Sequence, residues 1–132
     1  MNVVDSSAWI EYFTYGPNAS FIAKPIEATD KLVVPTLTLY EVFKRIHRER
    51  GETDALEKVA HMMQGRVVDL TASLALEAAR VSVDEELPMA DAMILATARA
   101  FGATLWTQDA HFEKTAGVEY RAAKPHKKGK PA

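Results

Sequence analysis

The chain has 132 residues, 48% of them apolar and 26% charged, with a net charge of −2 and no cysteine. That length and mix describe one globular domain burying roughly two-thirds of its unfolded surface, and no run approaches the roughly 20 apolar residues of a membrane span. Without cysteine there are no disulfides, thiolate metal sites or cysteine nucleophiles; together with the lack of a signal-like leader before Asp5, this leads us to expect a soluble, cytoplasmic protein.

In chain order, Asn2 to Asp5 reads as a short buried strand, and Ser6 or Ser7 can cap a helix from Ala8 to Phe13. Gly16-Pro17 breaks the chain before a second helix, roughly 18–29. Lys31 to Pro35 is the next strand. A helix opened by Thr36 or Thr38 follows, with Leu39, Val42, Phe43 and Ile46 on one face, and it ends near Gly51. Thr53 to Gln64 reads as helix and Arg66 to Leu70 as strand. Thr71 caps a helix carrying Leu74, Ala75, Ala78, Ala79 and Val81. Pro88 sits as a first-turn proline of a helix that runs through Ala100 and stops at Gly102. Ala103 to Thr107 is a strand, Asp109 to Lys114 a short helix, and Val118 to Tyr120 a last edge strand. Such alternation implies an α/β fold with a mainly parallel sheet, and ligands in such sheets bind beyond the carboxyl ends of the strands.

Charge is unevenly distributed. All 18 acids lie at or before Glu119, where only 11 bases accompany them, a net −7; Arg121, Lys124, Lys127, Lys128 and Lys130 follow. An acidic body does not suit a protein that merely coats nucleic acid. The basic end, with Pro125, Gly129 and Pro131, reads as a disordered, solubilising tail over 121–132, with auxiliary RNA attraction as the lesser reading.

Four acids are candidates for chemistry: Asp5, Glu41, Asp91 and Asp109. Asp5 and Asp109 follow strand ends, and each could instead be a helix cap. Asp91 stands in Leu87-Pro-Met-Ala-Asp-Ala-Met-Ile-Leu-Ala96, a carboxylate in an apolar helix; it either complements the helix dipole or holds a cation. Glu41, with Lys44, Arg45 and Arg48 at helical spacings, could be a solvated ion-pair member. Gathered together, four carboxylates would repel one another unless a hard divalent cation were bound. His111 reads as a surface histidine rather than a site residue, and Asp84-Glu85-Glu86 as a solvated helix end. Nucleotide-binding glycine loops, a GxSxG elbow and zinc spacings are all missing.

Taken together, Val3-Val-Asp-Ser-Ser-Ala-Trp9, Leu37-Thr-Leu-Tyr-Glu-Val42, Ala90-Asp-Ala-Met-Ile-Leu-Ala-Thr-Ala98 and Leu105-Trp-Thr-Gln-Asp-Ala-His-Phe112 resemble a PIN domain, specifically the small VapC-type toxins of bacterial toxin–antitoxin pairs. The resemblance spans roughly residues 2–120 in the family's order, giving a 1–120 nuclease domain followed by the tail. It implies a three-layer α/β/α sandwich and Mg2+- or Mn2+-dependent endoribonuclease activity. It also implies metal ligation by Asp5, Asp91 and Asp109, with Glu41 completing the pocket directly or through water and Ser6 and Thr107 supporting it. A homodimer, an RNA substrate and a cognate antitoxin follow from the same resemblance. Pro88-Met89 before the third acid depart from the glycine-containing or more polar approaches also common there. Two rivals remain open. One is a haloacid-dehalogenase-like phosphatase, which would want an Asp where Ser7 stands; the other is a PIN-like module that binds RNA or protein without cutting.

Overall fold

The chain enters the fold through β1 (Asn2–Val4), whose two valines point to opposite faces of a sheet and are both fully buried. The computed structural model describes residues 1–125. After β1 come α1 (Ser6–Phe13), α2 (Ala19–Glu27), a 3-10 turn (Thr29–Lys31), β2 (Leu32–Pro35), α3 (Thr36–Arg50), α4 (Glu52–Met62) and β3 (Arg66–Val68). The second half adds α5 (Ala72–Glu85), α6 (Met89–Ala100), β4 (Thr104–Thr107), a 3-10 turn (Ala110–Phe112) and β5 (Val118–Tyr120).

The five strands form one sheet in the order β3-β2-β1-β4-β5, and every pairing is parallel. Val3 pairs with Val33 on one side and Leu105 on the other, and Thr107 lies opposite Tyr120. One core lies between the sheet and the helices of the first half, with Val4, Trp9, Phe13, Phe21, Ile22, Val34, Val42 and Met62 among its members. The other packs Val3, Val33 and Leu105 against Ala78, Val81, Ile94 and Leu95 of α5 and α6. The architecture is the expected α/β/α sandwich, with a central parallel sheet. Among the described residues, no helix is long and apolar enough to cross a membrane.

Element ends differ from expectation where local hydrogen bonds decide them. Asp5, not Ser6 or Ser7, caps α1: its extended backbone turns the carboxylate back onto the Ser6 amide at 2.7 Å, so the helix starts two residues early. Pro35 precedes α3 without a side-chain cap, and Thr38 instead donates its hydroxyl to the Pro35 carbonyl at 2.7 Å. Pro88 stands one residue outside α6, at its N-cap. The helix expected over 109–114 is a single 3-10 turn, because Asp109 accepts from the His111 amide and closes the turn locally. Thr71 caps α5 as read, accepting from the Leu74 amide at 3.1 Å. Within the acidic Asp84-Glu85-Glu86 patch, Glu85 is paired with Arg99 across the α5–α6 hairpin (Nη2 to Oε1, 3.0 Å).

The basic tail falls largely beyond the described residues, at 126–132; residues 121–125 carry no regular secondary structure.

Leu105 is fully buried on β4, an interior strand between β1 and β5. Leu105→Ala should therefore cost about 2–5 kcal/mol of stability, measured by urea unfolding, because a central strand cannot collapse to fill the cavity.

Candidate metal centre

The strand order reverses at β1: β2 and β3 extend to one side of it, β4 and β5 to the other. A crevice opens at such a point, beyond the carboxyl ends of the two strands whose connections part there. Here that crevice lies beyond β1 and β4. Asp5 is the first residue after β1, and Asp109 follows β4 by two residues. Thr107, fully buried at the end of β4, joins them: its hydroxyl donates to Asp5 Oδ2 at 2.7 Å and accepts from the Asp109 amide at 2.9 Å. The Ser7 hydroxyl reaches the same Asp5 oxygen at 3.3 Å.

Asp91 enters from the first turn of α6, and its residue is buried. Within the described residues, one ligand atom each from Asp91, Asp109 and His111 lie within 4.8 Å of one another. The imidazole Nδ1 of His111 stands 2.7 Å from Asp109 Oδ1 and 3.0 Å from Asp91 Oδ2. Even so, Asp91 Oδ2 is a buried oxygen that receives no hydrogen bond, so His111 approaches it without a formed N–H···O bond. Glu41, from α3, joins the edge of the pocket through Ser6, whose hydroxyl donates to Glu41 Oε1 at 2.6 Å.

The electrostatics follow from crowding. Burial raises the Asp5 carboxyl above its usual range, and the charges of Asp109 and Glu41 add to this; the hydrogen bonds from Thr107 and Ser6 pull the other way. Asp91 is pushed up to about 7, first by burial and then by the Asp109 charge, by a hydrogen bond to Asp109 available only to the protonated acid, and by Asp5; His111 opposes these. A divalent cation would reverse that balance. Oxygen-rich donors, a buried carboxylate oxygen lacking any partner and a pocket that repels its own second charge suit Mg2+ or Mn2+, and the imidazole nitrogen is tolerated better by Mn2+.

Of the acids singled out in the sequence, Asp109 and Glu41 act on the charge of Asp5, and Asp109 and Asp5 act on that of Asp91; Asp91 and Asp109 share the close group with His111, and Asp5 stands outside it. Ser6 and Thr107 are the hydroxyls that bind Glu41 and Asp5. His111, read as a surface residue, is more than half exposed yet sits against two of the acids. Its only sequence signal was its spacing of two from Asp109. Asn18 and Gln108 were missed altogether: Asn18 Nδ2 donates to Gln108 Oε1 at 2.7 Å, fixing the residue between Thr107 and Asp109.

A family model described as the PIN domain matches residues 3–118. No curated relative matches the sequence. Among solved structures, a toxin–antitoxin complex from Klebsiella pneumoniae is similar with a TM-score of 0.76 at 21% identity, over 90% of this chain and 96% of that one. The sarcin–ricin-loop-cleaving toxin VapC20 of Mycobacterium tuberculosis gives 0.71 at 19% identity, over 88% and 95% of the two chains. DNA-bound VapBC from Salmonella typhimurium gives 0.71 at 15%, over 92% and 98%.

The raised acids make a prediction for the metal-free protein. Between 3.8, where the unfolded chain releases the Asp91 proton, and about 7, the folded state holds that proton more tightly. Stability therefore falls as pH rises through this window, by up to about 1.4 kcal/mol per pH unit. In chelator, the melting temperature should drop between about pH 4 and about pH 7 and level off above that. Asp91→Asn should flatten that drop and melt above the parent at the higher pH.

Proposed function

Because the chain belongs to the PIN-domain family, we propose that it is a Mg2+- or Mn2+-dependent endoribonuclease, the toxin of a toxin–antitoxin pair. The observation that carries this reading is the buried Asp91 oxygen that no hydrogen bond satisfies, beside Asp109 and His111 and within reach of the Asp5 charge. Asp5, Asp91 and Asp109 would hold the cation, and Glu41 would complete the pocket through Ser6 or a water. When bound, the metal supplies charge neutralisation at the scissile phosphate and lowers the pKa of a water to make a nucleophile.

The protein's own groups prepare that chemistry. Thr107 fixes the Asp5 carboxylate by a hydroxyl hydrogen bond and leaves Oδ1 to the Ser6 amide, so neither oxygen can rotate freely. Partners of this kind orient the ligating groups. His111, at the exposed mouth, sets its Nδ1 against both Asp91 and Asp109. Burial of Asp5 and Asp91 at the foot of the crevice keeps bulk water from screening the charges that act on the phosphate.

RNA as substrate, a cognate antitoxin, a homodimer and a cytoplasmic setting belong to the same proposal. Support for the antitoxin comes from the Klebsiella and Salmonella structures, which are toxin–antitoxin and VapBC complexes; support for RNA comes from the loop-cleaving toxin of Mycobacterium tuberculosis.

The deciding experiment is to map RNA ends after induced expression, with Asp5→Asn and Asp91→Asn as controls. Both variants should fold and lose cleavage by about a hundredfold or more, as chelator should; full activity in either would remove that residue from the site. Thr107→Val, which deletes only the hydroxyl that orients Asp5, should weaken the Mn2+ affinity measured by calorimetry by about 10- to 100-fold. Unchanged affinity would leave Thr107 a packing residue.

A further inference from the structure

A groove of about 550 Å3 runs between α1 and α3, within the roughly 300–1,000 Å3 of small-ligand sites. α1 lines it with Ser7, Ile10 and Glu11, and α3 with Arg45, Glu49 and Arg50. It meets the carboxylate pocket at two residues. Ser7 sends its hydroxyl to Asp5 Oδ2 at 3.3 Å, and Gln108, also on the groove wall, stands between Thr107 and Asp109. On α3, Glu41 at the pocket edge and Arg45 and Glu49 in the groove follow at four-residue intervals, so one helix face joins the two. Arg45 lies about 6 Å along the helix from Glu41.

The inner wall is fixed by bonds within the protein. Asn18, 1% exposed, donates Nδ2 to Gln108 Oε1 at 2.7 Å, and its amide donates to Glu11 Oε2 at 2.6 Å. Gln108 Nε2 in turn donates to the Ser7 carbonyl at 3.4 Å. The outer wall is looser. Arg45 and Glu49 form an i,i+4 pair, Nε to Oε2 at 2.8 Å, with both side chains about half exposed, and a pair of that kind contributes little to stability. A guanidinium so held can exchange its carboxylate for a phosphate, which its planar fork of donors matches. A docking helix would want an apolar floor, and among the described residues Ile10 is the one apolar side chain that lines the groove. Resting on the nuclease reading, we propose that this groove is the subsite for the RNA nucleotide next to the cut, with Arg45 gripping its phosphate in place of Glu49.

For the test, every protein carries Asp91→Asn to stop cleavage. The probe is a short single-stranded RNA of mixed sequence, and Kd is measured over a range of salt. Arg45→Gln should weaken binding about tenfold at low salt and make the slope of log Kd against log salt shallower by about 0.7, the loss of one phosphate contact. Glu49→Gln removes the competitor of that phosphate and should tighten binding by about two- to fivefold. A purely structural ion pair predicts the same sign for both variants, because either one breaks it; matching effects overturn the proposal. The control is the exposed pair Arg80 and Glu77 on α5, across the sheet from the groove. Arg80→Gln and Glu77→Gln should leave Kd and slope unchanged. Shifts there as large as those on α3 would mean that net charge alone is being read, and would overturn it too. So would unchanged binding in both groove variants, which would leave the groove to a protein segment. The chain with Asp91 intact, assayed for cleavage of the same RNA with Mg2+ or Mn2+, separates the two readings. Cleavage with no effect of Arg45→Gln on Kd sinks the groove alone; neither cleavage nor binding sinks both.

Discussion

Asp5 and Asp109 can share a pocket because β1 and β4 are hydrogen-bonded neighbours in a fixed parallel register, Val4 beside Trp106. That register sets the next residue on each strand, Asp5 and Thr107, side by side, so a 2.7 Å hydrogen bond between them is a consequence of the sheet and not of a flexible loop. It also divides the core. Val3 and Val4 face opposite layers, one toward α5 and α6 and the other toward the helices of the first half. A slip of one residue would exchange those faces and carry Asp5 away from Thr107. Core packing and site geometry are therefore held by the same ladder of backbone bonds.

The same pairing creates a cost. It packs like charges into a desolvated crevice, where burial and neighbouring acids disfavour the ionised forms of Asp5 and Asp91. The fold answers this unevenly. Asp5 receives the Thr107 hydroxyl, the Ser6 amide and the more distant Ser7 hydroxyl, and Glu41 receives the Ser6 hydroxyl. Asp91 is left with a buried oxygen that nothing bonds. Its place in the first turn of α6 lets the helix dipole offset part of the cost, the structural role that could be read for it from sequence. A dipole alone does not bond that oxygen, which has the His111 ring nitrogen 3.0 Å away, and a cation would.

Much of this could be read before the fold was known, for particular reasons. Short apolar runs closed by Asp5, Pro35 and Thr107 mark strands, and their ends mark where ligands gather in a parallel sheet. Asp91 stood out because its neighbours are apolar. Glu41 was the least certain in role, and its link to the pocket passes through Ser6, 35 residues away in sequence, which no local pattern reveals. His111 was passed over because exposure and proximity to a site are compatible for a residue at the mouth. Asn18 lay hidden for a different reason: its partners Gln108 and Ala122 are 90 and 104 residues distant, so nothing near it in sequence distinguishes it from a loop asparagine. The helix-end errors at α1 and after Asp109 share one cause. A carboxylate expected to do one job also bonds a nearby amide and moves the boundary.

A nuclease of this kind must meet two opposed electrostatic demands, negative charge to hold a cation and positive charge to hold a polyanion. Placing both in one pocket would neutralise each by the other. Here Asp5 and Asp109 lie beyond β1 and β4, and Arg121, a positive charge, follows β5, the next strand over. Neighbouring strands lie about 4.8 Å apart, and the Debye length in the cell is about 8 Å. Arg121, the first residue after β5, lies at that edge: its amide is bonded to the Thr107 carbonyl and its guanidinium lies over the Phe21 ring. Asn18 holds the next residue by its bond to the Ala122 carbonyl, so the chain leaves the sheet in a fixed direction beside the residue that orients Asp5.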